Sequence, residues 1–219
     1  MTETVLYLTR HGQTEWNLQK RMQGHQNSAL TTLGKQQAEW LKERLEGENL
    51  GAIYSSSSLR ALHTAQILRG NRTLPIQQLD ELMEINMGIW EGMKTEQIEQ
   101  DYPLQYARFF TSPDLYVPVS LGETYEQLEQ RVIPAVECIL KDNLGQQLLI
   151  VTHRMTLKVI MAHFLNKTLR EIGEMPDIFS TALCKVQVIN GIPHVDLLGD
   201  TSHYRGAQNQ GSRTGKATC

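Results

Sequence analysis

Cysteine is scarce in this sequence, with three in 219 residues: Cys138, Cys184 and Cys219. An odd, scattered set supplies neither a disulfide framework nor a zinc site. Cys138 falls in an apolar helical pattern and Cys184 in a strand pattern, so both are expected as small buried residues, with the last residue, Cys219, exposed. Long apolar runs are missing too: nothing approaches the roughly 20 residues that cross a bilayer. The opening MTETVLYLTR has Glu3 where a secretory signal has a basic stretch followed by an apolar one. A cytoplasmic location and no membrane partner are expected. Positive charge is not in excess either. The net charge of −3 gives no overall field to hold nucleic acid, so a site for anions must concentrate its cations in one pocket. No carboxylate cluster suits Mg²⁺. His25, His63, His163, His194 and His203 show no metal spacing and read as surface or packed residues. No metal and no cofactor are expected.

What is present is an ordinary globular composition, 40% hydrophobic and 21% charged. Strand and helix patterns alternate, which predicts an α/β fold. It is a three-layer sandwich with a mostly parallel central sheet flanked by helices, plus a small helical insertion. Strands are expected at 5–9, 52–55 and 147–152, with 74–78 at an edge because Pro75 cannot donate to a ladder. Helices are expected at 31–45, 59–68, 95–101, 124–140 and 156–165. In 124–140, Leu128, Val132, Val136 and Leu140 recur every fourth residue. A hairpin closes the pattern, 182–190 and 194–198 around Gly191-Ile192-Pro193. Residues 1–204 form a single domain. The tail, 205–219, has no large apolar residue and holds Arg205, Arg213 and Lys216 without an acid. It carries +3 of a total of −3, which leaves −6 on the body, and a flexible polar tail is expected. A monomer or a homodimer fits equally.

Two apolar strands end the same way. Residues 5–9 run into Arg10, His11 and Gly12, and 147–152 end at Thr152 before His153 and Arg154. Ligands of open α/β sheets bind beyond the carboxyl ends of the strands. Gly12 has no side chain to obstruct backbone N–H groups from a ligand. A third strand leads to SSSSLRALHTA, which sets Arg60 at a helix start, where orphan N–H groups, the helix dipole and a guanidinium all favour an anion. Two histidines and two arginines converging after strands are a phosphate-binding constellation. Five aromatics at 102–116, namely Tyr102, Tyr106, Phe109, Phe110 and Tyr116, read either as the core of a helical insertion or as a pocket wall.

LTRHGQTEWN (8–17), SSLRALHTA (57–65), LMEINMGIWEG (82–92) and LIVTHR (149–154) resemble, in order, the motifs of the histidine phosphatase superfamily, also called phosphoglycerate mutase-like. Within it the chain resembles bacterial broad-specificity acid phosphatases. The resemblance implies His11 as nucleophile and Arg10, Arg60 and His153 around the phosphoryl oxygens. Asn17 would stand beside them, Gln23 and Gly24 would line the entrance, and Glu84 would protonate the leaving alcohol. Thr152 and Arg154 complete the expected binding set. The family usually has glycine where this chain has Arg154, which leaves two readings, a third guanidinium on the substrate or a side chain turned to solvent. Gln13 replaces a frequent glutamate and should make the mouth less acidic.

Physical chemistry points the same way. Histidine attacks phosphorus through a neutral nitrogen, and the neighbouring arginines disfavour imidazolium at His11. Its other nitrogen should donate to a backbone carbonyl. His153 would serve as a cation or a donor. Glu84 must be protonated when substrate is bound, helped by the phosphate dianion and by burial beside Met83, Ile85 and Trp90, so activity should peak on the acid side of neutral. Thr124 reads as a helix cap and Glu123 as a rim residue. The expected partner is a small phosphorylated substrate, and the expected reaction is hydrolysis of phosphate monoesters. The alternatives are a cofactor-dependent phosphoglycerate mutase and a non-catalytic module for phosphorylated ligands. Only 69 positions separate Glu84 from His153, where the mutases of the family have a longer segment.

Overall fold

The computed structural model describes residues 2–205. One six-stranded sheet carries the fold. In chain order the strands are β1 (Glu3–Arg10), β2 (Leu50–Ser56), β3 (Ile76–Leu79), β4 (Gln147–Thr152), β5 (Leu183–Ile189) and β6 (Ile192–Asp200). They lie side by side as β3-β2-β4-β1-β5-β6. The first four are parallel to one another, and β5 and β6 are antiparallel. The helices are α1 (Glu15–Leu18), α2 (Thr32–Arg44), α3 (Leu59–Arg69), α4 (Thr95–Asp101), α5 (Pro103–Thr111), α6 (Tyr125–Asp142) and α7 (Arg154–Phe164).

The central strands are apolar throughout because both of their faces are covered. Successive side chains point to opposite faces. Leu6, Leu8, Leu148 and Ile150 pack with α6 and α7, and Val5, Tyr7, Leu149 and Val151 pack with α2 and α3. The three-layer reading therefore holds. The insertion is helical, α4 and α5, and its aromatics do both of the things expected of them. Phe109 lies 5.8 Å from Trp90, 5.0 Å from Tyr116 and 5.5 Å from Tyr125. Phe110 packs on Phe109 at 4.9 Å and on Tyr106 at 5.1 Å, and all three line a cleft.

Several expectations need correction. Cys138 is exposed, because α6 buries Leu128, Val132, Val136 and Ile139, and Cys138 faces away from that stripe. Every fourth residue advances about 400°, so the stripe drifts and Ile139 takes the place assigned to Leu140. The hairpin turns at Asn190 and Gly191, both with positive φ (51° and 85°). That pair makes the tight primed turn of two-residue hairpins. Ile192 and Pro193 already belong to β6, an edge strand where proline is tolerated. Helix α7 begins two residues early, at Arg154. Of the tail, only Arg205 is described, paired with Glu43, and the flexibility expected at 206–219 lies outside the described residues. No helix among the described residues is long and apolar enough to cross a membrane.

Gly12 is also used differently from its reading. A Cβ on Gly12 would fall 2.4 Å from the Gly34 carbonyl oxygen, and its N–H donates to Thr64 Oγ1 at 3.0 Å. The close approach is to α2, not to a ligand. From the other side, a Cβ on Gly34 would lie 2.0 Å from the Gln13 carbonyl oxygen. Alanine is the better helix former by about 1 kcal/mol, yet here it must displace the loop that carries His11. Gly34→Ala is expected to lower stability by about 1–3 kcal/mol and to reduce turnover. Urea unfolding alongside an activity assay checks this, and an unchanged or raised midpoint contradicts it.

Candidate active site

Parallel pairing of β1 with β4 aligns Arg10 with Thr152. The residues that follow are therefore neighbours: His11 N–H donates to Thr152 O at 2.9 Å, and the rings of His11 and His153 lie 5.3 Å apart. Helix α3 begins after β2, the next strand over, and brings Arg60 to His11. These elements line a cleft of about 250 Å³ at the carboxyl end of the sheet, together with Asn17, Gln23, Gly24, Glu84 and Arg154.

The tautomer of His11 follows from its partners. Nδ1 is 2.7 Å from the Gly12 carbonyl, which can only accept, and Arg60 Nε, which can only donate, is 3.2 Å from Nε2. The proton is on Nδ1 and the lone pair is on Nε2. Burial first, then the guanidinium groups of Arg60 and Arg10, hold His11 well below the usual histidine range. Burial first, then Arg60, His11 and Arg10, hold His153 well below that range too, which favours the donor reading over the cation one in the ligand-free site. Its Nε2 is 2.8 Å from Ser56 Oγ, while its Nδ1 is buried without a partner.

Arg60 is buried and heavily engaged. Besides His11 it donates to Gln26 O (2.6 Å) and Gly24 O (2.7 Å). Gly24 thus serves through its carbonyl. Arg10 donates to Ile178 O at 3.0 Å, and its Nε is buried and unpaired. Burial, and for Arg10 also Arg154, pushes both guanidinium groups down to about 10, so both remain cations at neutral pH. Asn17 closes a capping box with Thr14 and lines the cleft. Thr152 does not reach it: its hydroxyl donates to Leu82 O at 2.6 Å, a structural bond. Gln13 also turns away, accepting from Thr31 Oγ1.

Glu84 is buried, but its carboxyl does not meet the apolar surroundings expected. It accepts from Ile85 N (3.0 Å), Met155 N (3.2 Å), Thr156 N (3.1 Å) and Thr156 Oγ1 (3.1 Å). His153 gives α7 no side-chain cap, so Glu84 caps the helix from a distant segment. That is why the helix can start at Arg154. Arg131 holds the same segment, donating to Glu81 O (2.7 Å), Met83 O (3.2 Å) and Glu84 O (3.3 Å) while paired with Glu123 at 2.9 Å. Glu123 is therefore a support of that clamp and not a rim residue, and Thr124 is the cap it was read as. His25 Nε2 lies 2.9 Å from the Glu84 carbonyl. Sequence reading missed Arg131, Ser56, Lys20, Arg21 and Asp177. Arg131 sits on the polar side of an amphipathic helix and Ser56 in a run of four serines, so neither carried a signal. Among the described residues no three His, Cys, Asp or Glu are grouped to hold a metal ion.

A stability test follows from the buried histidines. Unfolded histidine titrates near 6.5. His11 and His153 are held well below that, and burial pushes His203 down to about 4. Above pH ~6.5 all three are neutral in both states and add no pH dependence. Below it the unfolded chain takes up protons that the folded chain refuses. Stability should therefore fall with pH, by up to about 1.4 kcal/mol per unit for each histidine. Urea midpoints between about pH 7 and 5 measure this, and a flat midpoint contradicts it.

The sheet is α/β, and the ends of its parallel strands bring His11, His153, Arg10 and Arg60 together. The chain belongs to the histidine phosphatase superfamily (branch 1), whose model matches residues 6–201. The metal-independent phosphoserine phosphatase of Arabidopsis thaliana is 35% identical over 160 residues, 72% of this chain and 67% of that protein. Human 6-phosphofructo-2-kinase/fructose-2,6-bisphosphatase 3 is 33% identical over 170 residues, 77% of this chain and 31% of that protein, so the chain spans less than a third of its length. Among solved structures, Bacillus stearothermophilus YhfR superposes with a TM-score of 0.88 at 44% identity, covering 91% of this chain and 98% of that one.

Proposed function

We propose that the protein hydrolyses small phosphate monoesters through a phosphohistidine on His11, with Glu84 as proton donor. The observation that carries this reading is the His11 ring: neutral, with Nδ1 tied to a carbonyl and the Nε2 lone pair at the cleft between cations. Arg60 Nε must release that lone pair and move to a phosphoryl oxygen as substrate enters. Two of the buried nitrogens left without a partner, Arg10 Nε and His153 Nδ1, suit the remaining oxygens. With the Ser56 hydroxyl donating to His153 Nε2, the His153 proton sits on Nδ1, where it can donate. Nε2 of His11 then bonds to phosphorus as the ester P–O bond breaks. The transition state is loose and its charge lies on those oxygens, so preorganised donors lower the barrier.

A phosphate dianion beside Glu84 favours proton uptake by the carboxyl, since two like charges repel. The proton passes to the leaving alkoxide. Water next attacks the phosphohistidine, Glu84 accepts its proton, the P–N bond breaks, and phosphate leaves. Asn17 and Gln23 line the cleft and contribute further contacts there. The Arabidopsis relative, named for phosphoserine and for independence of metal, supports this class. The test is rapid quench with a ³²P-labelled monoester in the presence of EDTA. An acid-labile, base-stable adduct on His11 is expected. Its absence during turnover, or loss of turnover to EDTA, overturns the proposal.

A further inference from the structure

The cleft holds more positive charge than one phosphate ester needs. Five cations line it: Arg10, Lys20, Arg21, Arg60 and Arg154. Glu84 is the one acid among the lining residues, and Asp177 stands behind Arg154. A phosphate dianion and two carboxylates do not use up five cations. Arg10 and Arg60 belong to the floor beside His11. Arg21 is committed to Gly92 O and Gln19 Oε1. That leaves Lys20 and Arg154.

Arg154 is held as a binding group is held. Its Nε donates to Asp177 Oδ1 at 2.6 Å, and Asp177 is itself fixed by Ile178 N at 2.8 Å. The guanidinium carbon lies 5.3 Å from the centre of the Phe110 ring. One edge and one face are thereby occupied. Among the described residues the two terminal amino groups donate to nothing, so a planar pair of N–H donors remains for an oxyanion. The side chain is one-third exposed, so the fork is wet and reachable. Tyr106, Phe110, Met87 and Met155 line the cleft beside it, where the carbon skeleton of a leaving alcohol would lie.

Resting on the phosphatase reading above, we propose that Arg154 forms a second anion subsite, which selects phosphate monoesters whose alcohol carries another anionic group. Phosphorus reacts at His11, and the carboxylate or second phosphate of the alcohol pairs with the Arg154 fork. Asp177 acts as a positioning residue that holds Nε and so aims the two free amino groups of the fork. Arg154 and His11 line the same cleft of about 250 Å³, which sets the subsite within one small molecule of the reacting phosphate.

Matched substrates test this. 3-Phosphoglycerate and glycerol 3-phosphate differ by a carboxylate in place of a hydroxymethyl group. Propane-1,3-diol bisphosphate and 3-hydroxypropyl phosphate differ by a phosphate. The wild-type enzyme should favour the doubly anionic member of at least one pair in kcat/KM, and which pair shows it tells carboxylate from phosphate. Arg154→Gln should lower that ratio about tenfold or more, mainly through KM of the anionic member, as expected for a charged hydrogen bond. Arg154→Lys, which keeps the charge and loses the fork, should recover part of it. Circular dichroism keeps misfolding separate. A ratio that does not move in either pair overturns the subsite, and so does an equal loss for both members, which would put Arg154 on the reacting phosphate. Failure of the phosphohistidine reading would appear instead in the wild type, as missing adduct.

Discussion

His11→Ala is expected to lower kcat at least about 10⁴-fold for every phosphate ester and to abolish the labelled intermediate. No other group in the cleft can replace it. His153 has one nitrogen on Ser56 and lies beside the same cations, and no cysteine, serine or second histidine is among the described residues that line the cleft. At this magnitude the loss is worth about 5.5 kcal/mol of barrier. The fold should survive, because the substitution removes a group that the folded state cannot protonate. The same variant should therefore show a shallower fall in stability below pH ~6.5, with one of the three buried histidines gone. Activity and stability thus move in opposite directions at low pH, an outcome that general unfolding does not give. Residual turnover above about 1% of wild type, or an unchanged acid slope, sinks the assignment of His11 as a buried neutral nucleophile.

That assignment was open to sequence reading because it depends on local order. Two apolar runs, each covered on both faces, each ended in a histidine, and strand ends are where open α/β sheets bind ligands. Arg60 was legible for the same reason, as a cation just inside a helix start. What pattern could not reveal is which distant groups complete these residues. Register decides that Arg10 faces Thr152, and so that Thr152 spends its hydroxyl on Leu82. The missing side chain of Gly12 serves Gly34, 22 positions away, in a contact that no periodicity predicts. Arg131 clamps the Glu84 segment from a helix whose pattern shows only its apolar stripe, with Glu123, just ahead of that helix, as its partner. The partner of Arg154 was equally hidden, since Asp177 lies 23 positions on.

Glu84 shows how one carboxyl can belong to two arguments at once. Structurally it caps α7, whose first N–H groups have no other partner among the described residues; in the proposed mechanism it also holds the proton that the departing alkoxide takes. Glu84→Gln separates the two uses. The amide oxygen can keep the bonds to Ile85 N, Thr156 N and Thr156 Oγ1, while the amide nitrogen cannot accept from Met155 N. A stability loss of about 1–2 kcal/mol is expected, with the fold intact. Catalysis should suffer far more, and unevenly. An alkyl phosphate needs its leaving oxygen protonated, so its kcat should fall about 10²–10⁴-fold. p-Nitrophenolate leaves without help, so phosphorylation of His11 by p-nitrophenyl phosphate should stay fast. Its hydrolysis should not, because the base that activates water is gone. The variant should therefore release a burst of p-nitrophenol and accumulate phosphohistidine, and it should lose the acid-side optimum expected with alkyl esters. Equal losses for both kinds of ester, with no burst, would show that Glu84 only holds the helix and that another group moves the proton.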